Sequence, residues 1–337
     1  MTATDQTQSP LDTGPRLGGL RRFMHHHPSL VTMPALLAIS LAVTVAIHPE
    51  YDSFDAQSLA MGAMPLALAA AAQAVVLISG GIDLSVGSMM AVCNVLAAAT
   101  MEHATFGESL LLAAAICVVG ALLGAVNGLI VVFSRVPDVV VTLTTGFIWG
   151  GVALLILERP GGGAPEEFLQ LGAGFLVTPW ISGSLVLVAA AVAIIWIPVQ
   201  RSRLGLLLYA VGSDKAAAFR SGVNVELTRF LAYVLGGLLS AVGGIGLVMT
   251  TGIGSPLAGV YYTLSGLAAA VLGGVSLTGG RGGIVGPVLA AYVLTLIPAD
   301  LIFLNIDPNF GQVIQGSLIV LVVMGGGLVE LLQGRKR

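Results

Sequence analysis

Apolar stretches of about 20 residues recur from residue 31 almost to the end of the chain, separated by short polar joints. A helix of that length crosses about 30 Å of hydrocarbon. Candidate spans fall at 31–48, 61–79, 84–101, 109–133, 138–157, 181–199, 229–250, 261–278, 284–304 and 311–331. The composition agrees: 56% of the 337 residues are hydrophobic and only 9% are charged, against about 25% charged in soluble domains. The runs do not alternate apolar with polar residues, as the strands of a membrane barrel do. The sequence therefore predicts an all-α integral membrane protein with about ten transmembrane helices.

Charge sets the expected orientation. Threaded through ten spans from an internal N-terminus, every lysine and arginine except Arg159 falls on the cytoplasmic side, as expected for short loops. Both termini are then cytoplasmic. Residues 1–30 form an N-terminal tail, 31–332 the membrane domain with a large inner loop at about 200–228, and 333–337 a basic tail. The first 30 residues are polar and hold Arg16, Arg21 and Arg22, which argues against a cleavable leader. The outer loops at 48–57 and 158–168 are acidic, and Gly161-Gly162-Gly163 reads as a flexible turn. Cys93 and Cys117 lie inside apolar runs and read as reduced packing residues. His25-His26-His27 has no further ligand cluster beside it in sequence, so no metal site is expected.

Three polar stretches interrupt this pattern. The first, GGIDLSVG, places Asp83 between two apolar runs at the inner membrane edge. Gly80, Gly81 and Gly87 permit a tight reversal, and the carboxylate can cap the helix expected to start at Leu84. A charge left in hydrocarbon would otherwise cost about 2.5–3.5 kcal/mol. A gating or subunit-contact role is the alternative. The second, SDKAAAFRSG, reads as a short exposed helix in the inner loop: Ser213 caps it, Ala216, Ala217 and Ala218 propagate it, and Gly222 ends it. The third, GGVSLTGGRGGIVGPVLA, echoes the first at Gly273, Gly274, Ser276, Gly279, Gly280 and Gly286. Either a diverged repeat or two answers to one turn problem explains it.

No catalytic signature is present. A phosphate loop needs Gly-x-x-x-x-Gly-Lys-Ser/Thr, and neither Lys215 nor Lys336 stands in that setting. Polar residues within the spans, Gln73, Asn94, Asn127, Thr142, Thr144 and Thr145, serve helix–helix hydrogen bonds or line a solute path.

The three stretches, in this order, resemble the permease subunits of bacterial ABC importers for monosaccharides of the ribose, galactose, xylose and galactofuranose type. The resemblance spans about residues 60–330. The family's pattern for the inner-loop helix matches Gly212, Asp214, Ala216, Ala217 and Gly222, with Asn more usual where Asp214 stands. The resemblance implies a multi-pass subunit of the bacterial inner membrane. It implies a second permease subunit, identical or paralogous, two cytoplasmic ATPase subunits that bind ATP and Mg, and a periplasmic sugar-binding protein. No cofactor on this chain and no nucleic-acid partner are implied. The 213–222 helix, with Gly212 before it, would couple to the ATPase, with Ala216, Ala217 and Phe219 at its centre and Lys215 and Arg220 on its rim. A permease for another small metabolite such as an amino acid, or an ion-coupled secondary transporter, remains the alternative.

Overall fold

The computed structural model describes residues 29–175, 178–307, 309–314, 316–317, 320 and 324. The tails at 1–28 and 333–337, His25-His26-His27 and most of the tenth predicted span lie outside the described residues. Twelve helices are named in chain order: α1 (Ser29–Ile47), α2 (Ser53–Ile78), α3 (Val86–Met101), α4 (Phe106–Ser134), α5 (Asp138–Ile156), α6 (Glu166–Ala173), α7 (Gly183–Arg201), α8 (Arg203–Ser213), α9 (Lys215–Arg220), α10 (Val225–Thr251), α11 (Gly259–Leu272) and α12 (Val285–Phe303). Among the described residues no β-strand forms beyond two isolated bridges. The chain is thus an all-helical, multi-pass membrane protein. Among the described residues six helices, α2, α4, α5, α7, α10 and α12, are long and apolar enough to cross a membrane. The apolar helices α1, α3 and α11 occupy three more of the predicted spans.

Two boundaries differ from the sequence reading, and both have a local cause. Helix α2 starts at Ser53 because Asp52 caps it, accepting from the Phe54 and Asp55 amides while Asp55 bonds back to the Asp52 amide. That reciprocal box outweighs the polarity of the segment. The inner loop is more helical than expected: Ser202 accepts from the Leu204 amide and starts α8 well before the short helix. Helix α7 contains a single π turn at Val192–Trp196.

Helix α2 is buried nearly all round and forms the axis of the bundle. Its alanine-rich face lets neighbours approach closely, which is how spans pack where lipid is as apolar as leucine. Helix α10 lies against α2, α3 and α4, and its contact with α4 is backbone to backbone. A Cβ on Gly124 would stand 2.2 Å from the Tyr233 carbonyl oxygen, and one on Gly237 2.2 Å from that of Gly120. Helices α4 and α5 leave broad apolar faces exposed, as Leu111, Leu122, Phe133, Phe147 and Leu155 show.

The joints gather at two ends. At one lie the α2–α3 joint, the α7–α10 segment and the α11–α12 joint. At the other, Gly161 bridges Gly254, the Gly163 amide donates to the Ala98 carbonyl, Gln57 donates to the Ala173 carbonyl, and His48 stacks on Phe303.

Candidate functional site

The α2–α3 joint is built from its sequence outward. Helix α2 ends at Ser79, and Gly80 takes a left-handed conformation (φ +76°). The Gly80 amide donates to the Leu77 carbonyl and the Gly81 amide to that of Val76. These two bonds satisfy carbonyls that a helix end leaves open, and only glycine takes the required φ without strain. Asp83 then turns the chain. Its Oδ1 accepts from the Ser85 amide at 2.8 Å and the Ser85 hydroxyl at 2.6 Å. The expected helix cap is corrected here: α3 begins at Val86, and Asp83 holds a two-residue turn before it. A carboxylate bonded to its own chain two residues on competes with helical geometry and delays the helix start.

Polar side chains from three helices close around this turn. Gln73 on α2 donates through Nε2 to the Asp83 carbonyl at 2.6 Å. Asn127 on α4 donates to the Ser85 hydroxyl at 2.6 Å and accepts from the Trp149 indole of α5 at 3.1 Å. The Thr142 hydroxyl of α5 accepts from the Leu84 amide at 3.0 Å. One layer below, Asp138 pairs with Arg229 of α10 and accepts from the Tyr233 hydroxyl at 3.0 Å. Thus Gln73, Asn127 and Thr142 each join a helix to the turn. Asn94 accepts from the Ser255 amide at 2.7 Å and joins α3 to the segment between α10 and α11. Thr145 is buried and bonds within α5, and Thr144 is exposed and bonds within α5.

Helices α8 and α9 meet the same joint from the other side. The helix cap falls one residue later than the sequence suggested. Asp214, not Ser213, accepts from the Ala216 and Ala217 amides at 2.8 and 2.9 Å. Ser213 is the last residue of α8 and donates to the Tyr209 carbonyl. Those amide donors, with Arg220, hold the Asp214 carboxyl below its usual range. Helix α9 ends as α2 does: Gly222 is left-handed, with its amide on Phe219 and that of Val223 on Ala218. Ala218 is buried against the protein, while Ala216 and Phe219 face outward, Phe219 being 73% exposed. Lys215 is exposed, at the foot of α9. Its Nζ donates to the Gly80 carbonyl at 3.3 Å, and partial burial lowers its pKa.

The α11–α12 joint completes the site. Helix α11 ends with the same pair of amide bonds that ends α2: the Gly274 amide donates to the Val271 carbonyl and the Val275 amide to that of Ala270. Ser276 then accepts from the Thr278 amide as Asp83 accepts from that of Ser85. The echo between the two sequences is therefore an echo in backbone geometry. Gly273 and Gly286 pack backbone to backbone across this joint, as Gly87 packs on Gly259.

All three stretches converge on one point. The Gly280 amide donates to the Ile78 carbonyl at 3.0 Å. A Cβ on Gly212 would lie 1.9 Å from that same carbonyl oxygen and 2.5 Å from the Gly280 nitrogen. A Cβ on Gly279 would lie 2.7 Å from the Gly80 Cα and 2.8 Å from the Gly212 oxygen. The Tyr209 hydroxyl adds a bond to the Gly282 carbonyl at 2.8 Å. The short helix is thus fixed at its N-terminal end to both membrane joints and free on its outer face. Sequence reasoning missed Asp138, Trp149, Tyr209, Arg229 and Tyr233. Each is a lone polar or aromatic residue in a helix, and Asp138 and Arg229 are 91 positions apart.

The structure defines a class: a polytopic helical membrane protein with a short exposed helix set among the joints at one end. Comparison with known proteins narrows it. The family described as branched-chain amino acid transport system/permease component matches residues 56–323, and the chain belongs to that family. It is 33% identical over 267 residues to the ribose import permease protein RbsC of Escherichia coli (strain K12), covering 77% of this chain and 81% of that protein. It is 34% identical over 309 residues to the autoinducer 2 import system permease protein LsrC of Enterobacter sp. (strain 638), covering 90% and 88%. The fructose import permease protein FrcC of Rhizobium meliloti is 29% identical over 316 residues, covering 90% and 86%. No solved structure matches. The chain is accordingly a permease component of an import system and not an enzyme.

Proposed function

We propose that this chain is the membrane subunit of an ABC importer that passes a monosaccharide handed over by a periplasmic binding protein. The observation that carries the reading is the convergence of Gly80, Gly212 and Gly280 beneath an outward-facing α9. In this reading ATP and Mg are bound by two separate cytoplasmic ATPase subunits, and a second permease subunit, a copy or a paralogue, completes the path. Closure of the ATPase pair moves α9. Because α9 is fixed at Gly212 to the ends of α2 and α11, the movement tilts both helix pairs, and hydrolysis resets them. Only contacts that differ between the two states shift the balance. ATP-driven uptake into proteoliposomes containing all subunits tests the assignment.

The proposed topology has about ten spans in the bacterial inner membrane, with both termini cytoplasmic. The basic residues Arg201, Arg203, Lys215, Arg220 and Arg281 cluster around the three-glycine end, which supports placing it inside. In a background lacking Cys93 and Cys117, a cysteine at Ala164 is expected to react with an impermeant thiol reagent on intact spheroplasts. A cysteine at Ser221 is expected to react only after lysis. Labelling of Ser221→Cys from outside would invert the topology.

The family description, with its branched-chain amino acids, and the autoinducer 2 relatives supply the alternative cargoes. An ion-coupled mechanism uses acids within the spans. Here Asp83, Asp138 and Asp300 stand at joints or near helix ends, and Asp138 is paired with Arg229.

A further inference from the structure

Asp83 and Gln73 are both fully buried, and each leaves one oxygen without a hydrogen-bond partner: Asp83 Oδ2 and Gln73 Oε1. Gln73 is not reversed, because its Nε2 faces two carbonyl oxygens, those of Asp83 at 2.6 Å and Thr263 at 3.5 Å. Turning the amide over would set oxygen against oxygen. Each of these two buried side chains therefore holds an acceptor lacking a donor, in a region closed to solvent. The charged or titratable groups around them are Asp138 on α5, Arg229 and Tyr233 on α10 and Lys215 on α9. None neutralises Asp83. Arg229 is taken by Asp138, Tyr233 donates to Asp138, and Lys215 donates to Gly80. Helices α2, α4 and α11 face the turn with neutral groups, Gln73, Asn127 and the Thr263 carbonyl. A buried carboxylate with no cation is strongly penalised, whereas the neutral acid both removes the charge and supplies a donor.

We propose that Asp83 is a proton-binding site, and that this packing of the α2–α3 joint is the proton-bound form, with the proton on Oδ2, the carboxyl oxygen without a hydrogen-bond partner. Ser85 keeps both of its bonds to Oδ1, and Asn127, which donates to the Ser85 hydroxyl, also acts on the Asp83 carboxyl as a neutral donor. The proton is taken from water and returned to it, and no other bond changes. Such a site links the joint to pH. The folded state binds a proton that an unfolded aspartate releases near pH 4, so stability falls as pH rises above about 4 until the folded group has also ionised.

The test is infrared difference spectroscopy of the purified full chain in lipid nanodiscs, titrated from about pH 8 to pH 5. The expected result is a protonated-carboxyl band that grows in with a midpoint well above that of a free aspartate. It is lost in Asp83→Asn and displaced in Asp83→Glu. Thermal unfolding supplies an independent reading: the fall in Tm from pH 5 to pH 8 is expected to be smaller in Asp83→Asn, whose amide donates in place of the proton. If Asp83→Asn does not fold, the wild-type band and its displacement in Asp83→Glu still decide. A wild-type spectrum with no carboxyl band above about pH 5, or a band unmoved by Asp83→Glu, overturns the proposal.

Discussion

Gly212→Ala is expected to lower ATP-driven uptake at least about tenfold while the protein still inserts in the membrane at its normal level. The added Cβ would stand 1.9 Å from the Ile78 oxygen and 2.5 Å from the Gly280 nitrogen, which are themselves hydrogen-bonded to each other. Neither neighbour is the loose end of a side chain, so the two joints must separate or α9 must move away. Overpacking of this kind costs about 1–3 kcal/mol, and about 1.4 kcal/mol is a factor of ten in an equilibrium. The loss is placed on coupling because Gly212 meets α2 at its last residue, Ile78, where the two joints and the start of α9 come together. Gly283→Ala is the matched control. Gly283 lies in the α11–α12 joint, yet a Cβ there meets nothing within 4 Å. Normal transport by Gly212→Ala, measured beside that control, would mean that the three-glycine contact does not carry the movement.

Phe219 carries the second large effect. Helix α9 has only six residues, and Phe219 is turned out beside Ala216 over an open groove reaching Glu226. A short helix that exposes an aromatic ring at the membrane edge fits a socket on a partner. An anchoring aromatic of this kind contributes about 2–4 kcal/mol to an interface. Phe219→Ala is therefore expected to weaken capture of the ATPase subunit roughly 30-fold or more. Phe219→Asp is expected to abolish capture, with the membrane fraction unchanged. Arg220→Ala is expected to slow association and make it less salt-sensitive, with a smaller change in affinity, because rim charges act mainly on encounter. Undiminished capture by Phe219→Asp would remove α9 from the interface. In either case Ala218 should tolerate no large side chain, since it faces the protein's own interior.

Much of this architecture was legible in the sequence because membrane spans announce themselves by length and apolarity. Among the described residues nine of the predicted spans correspond to named helices, and the start of α2 differs because the capping box at Asp52 and Asp55 lies in a segment that reads as a polar loop. The three glycine-bearing stretches were legible too, since glycine between apolar runs marks a turn or a close approach. That they meet was not. Contact among Gly80, Gly212 and Gly279 depends on how helices far apart in the chain are arranged, and no local periodicity encodes it. The direction of side chains on α9 was half legible. Asp214 and Ser213 are both good caps, and the choice between them rests on Ser213 belonging to α8, a helix not expected there. That the exposed Lys215 also donates to the Gly80 carbonyl is a contact between distant segments that charge alone does not indicate. Of the polar residues within the spans, Gln73, Asn94, Asn127 and Thr142 are consumed by bonds between elements. A backbone carbonyl in a distant turn is a partner that composition cannot reveal.

The most direct test is uptake into proteoliposomes holding this chain, its partner permease and its ATPase subunits, with the binding protein and radiolabelled solute outside and ATP enclosed on the ATPase side. The solutes are ribose, fructose, galactose, a branched-chain amino acid and autoinducer 2. The account predicts accumulation of a monosaccharide that requires ATP, the ATPase subunits and the loaded binding protein together. Uptake driven by an ion gradient with the ATPase subunits left out would contradict it.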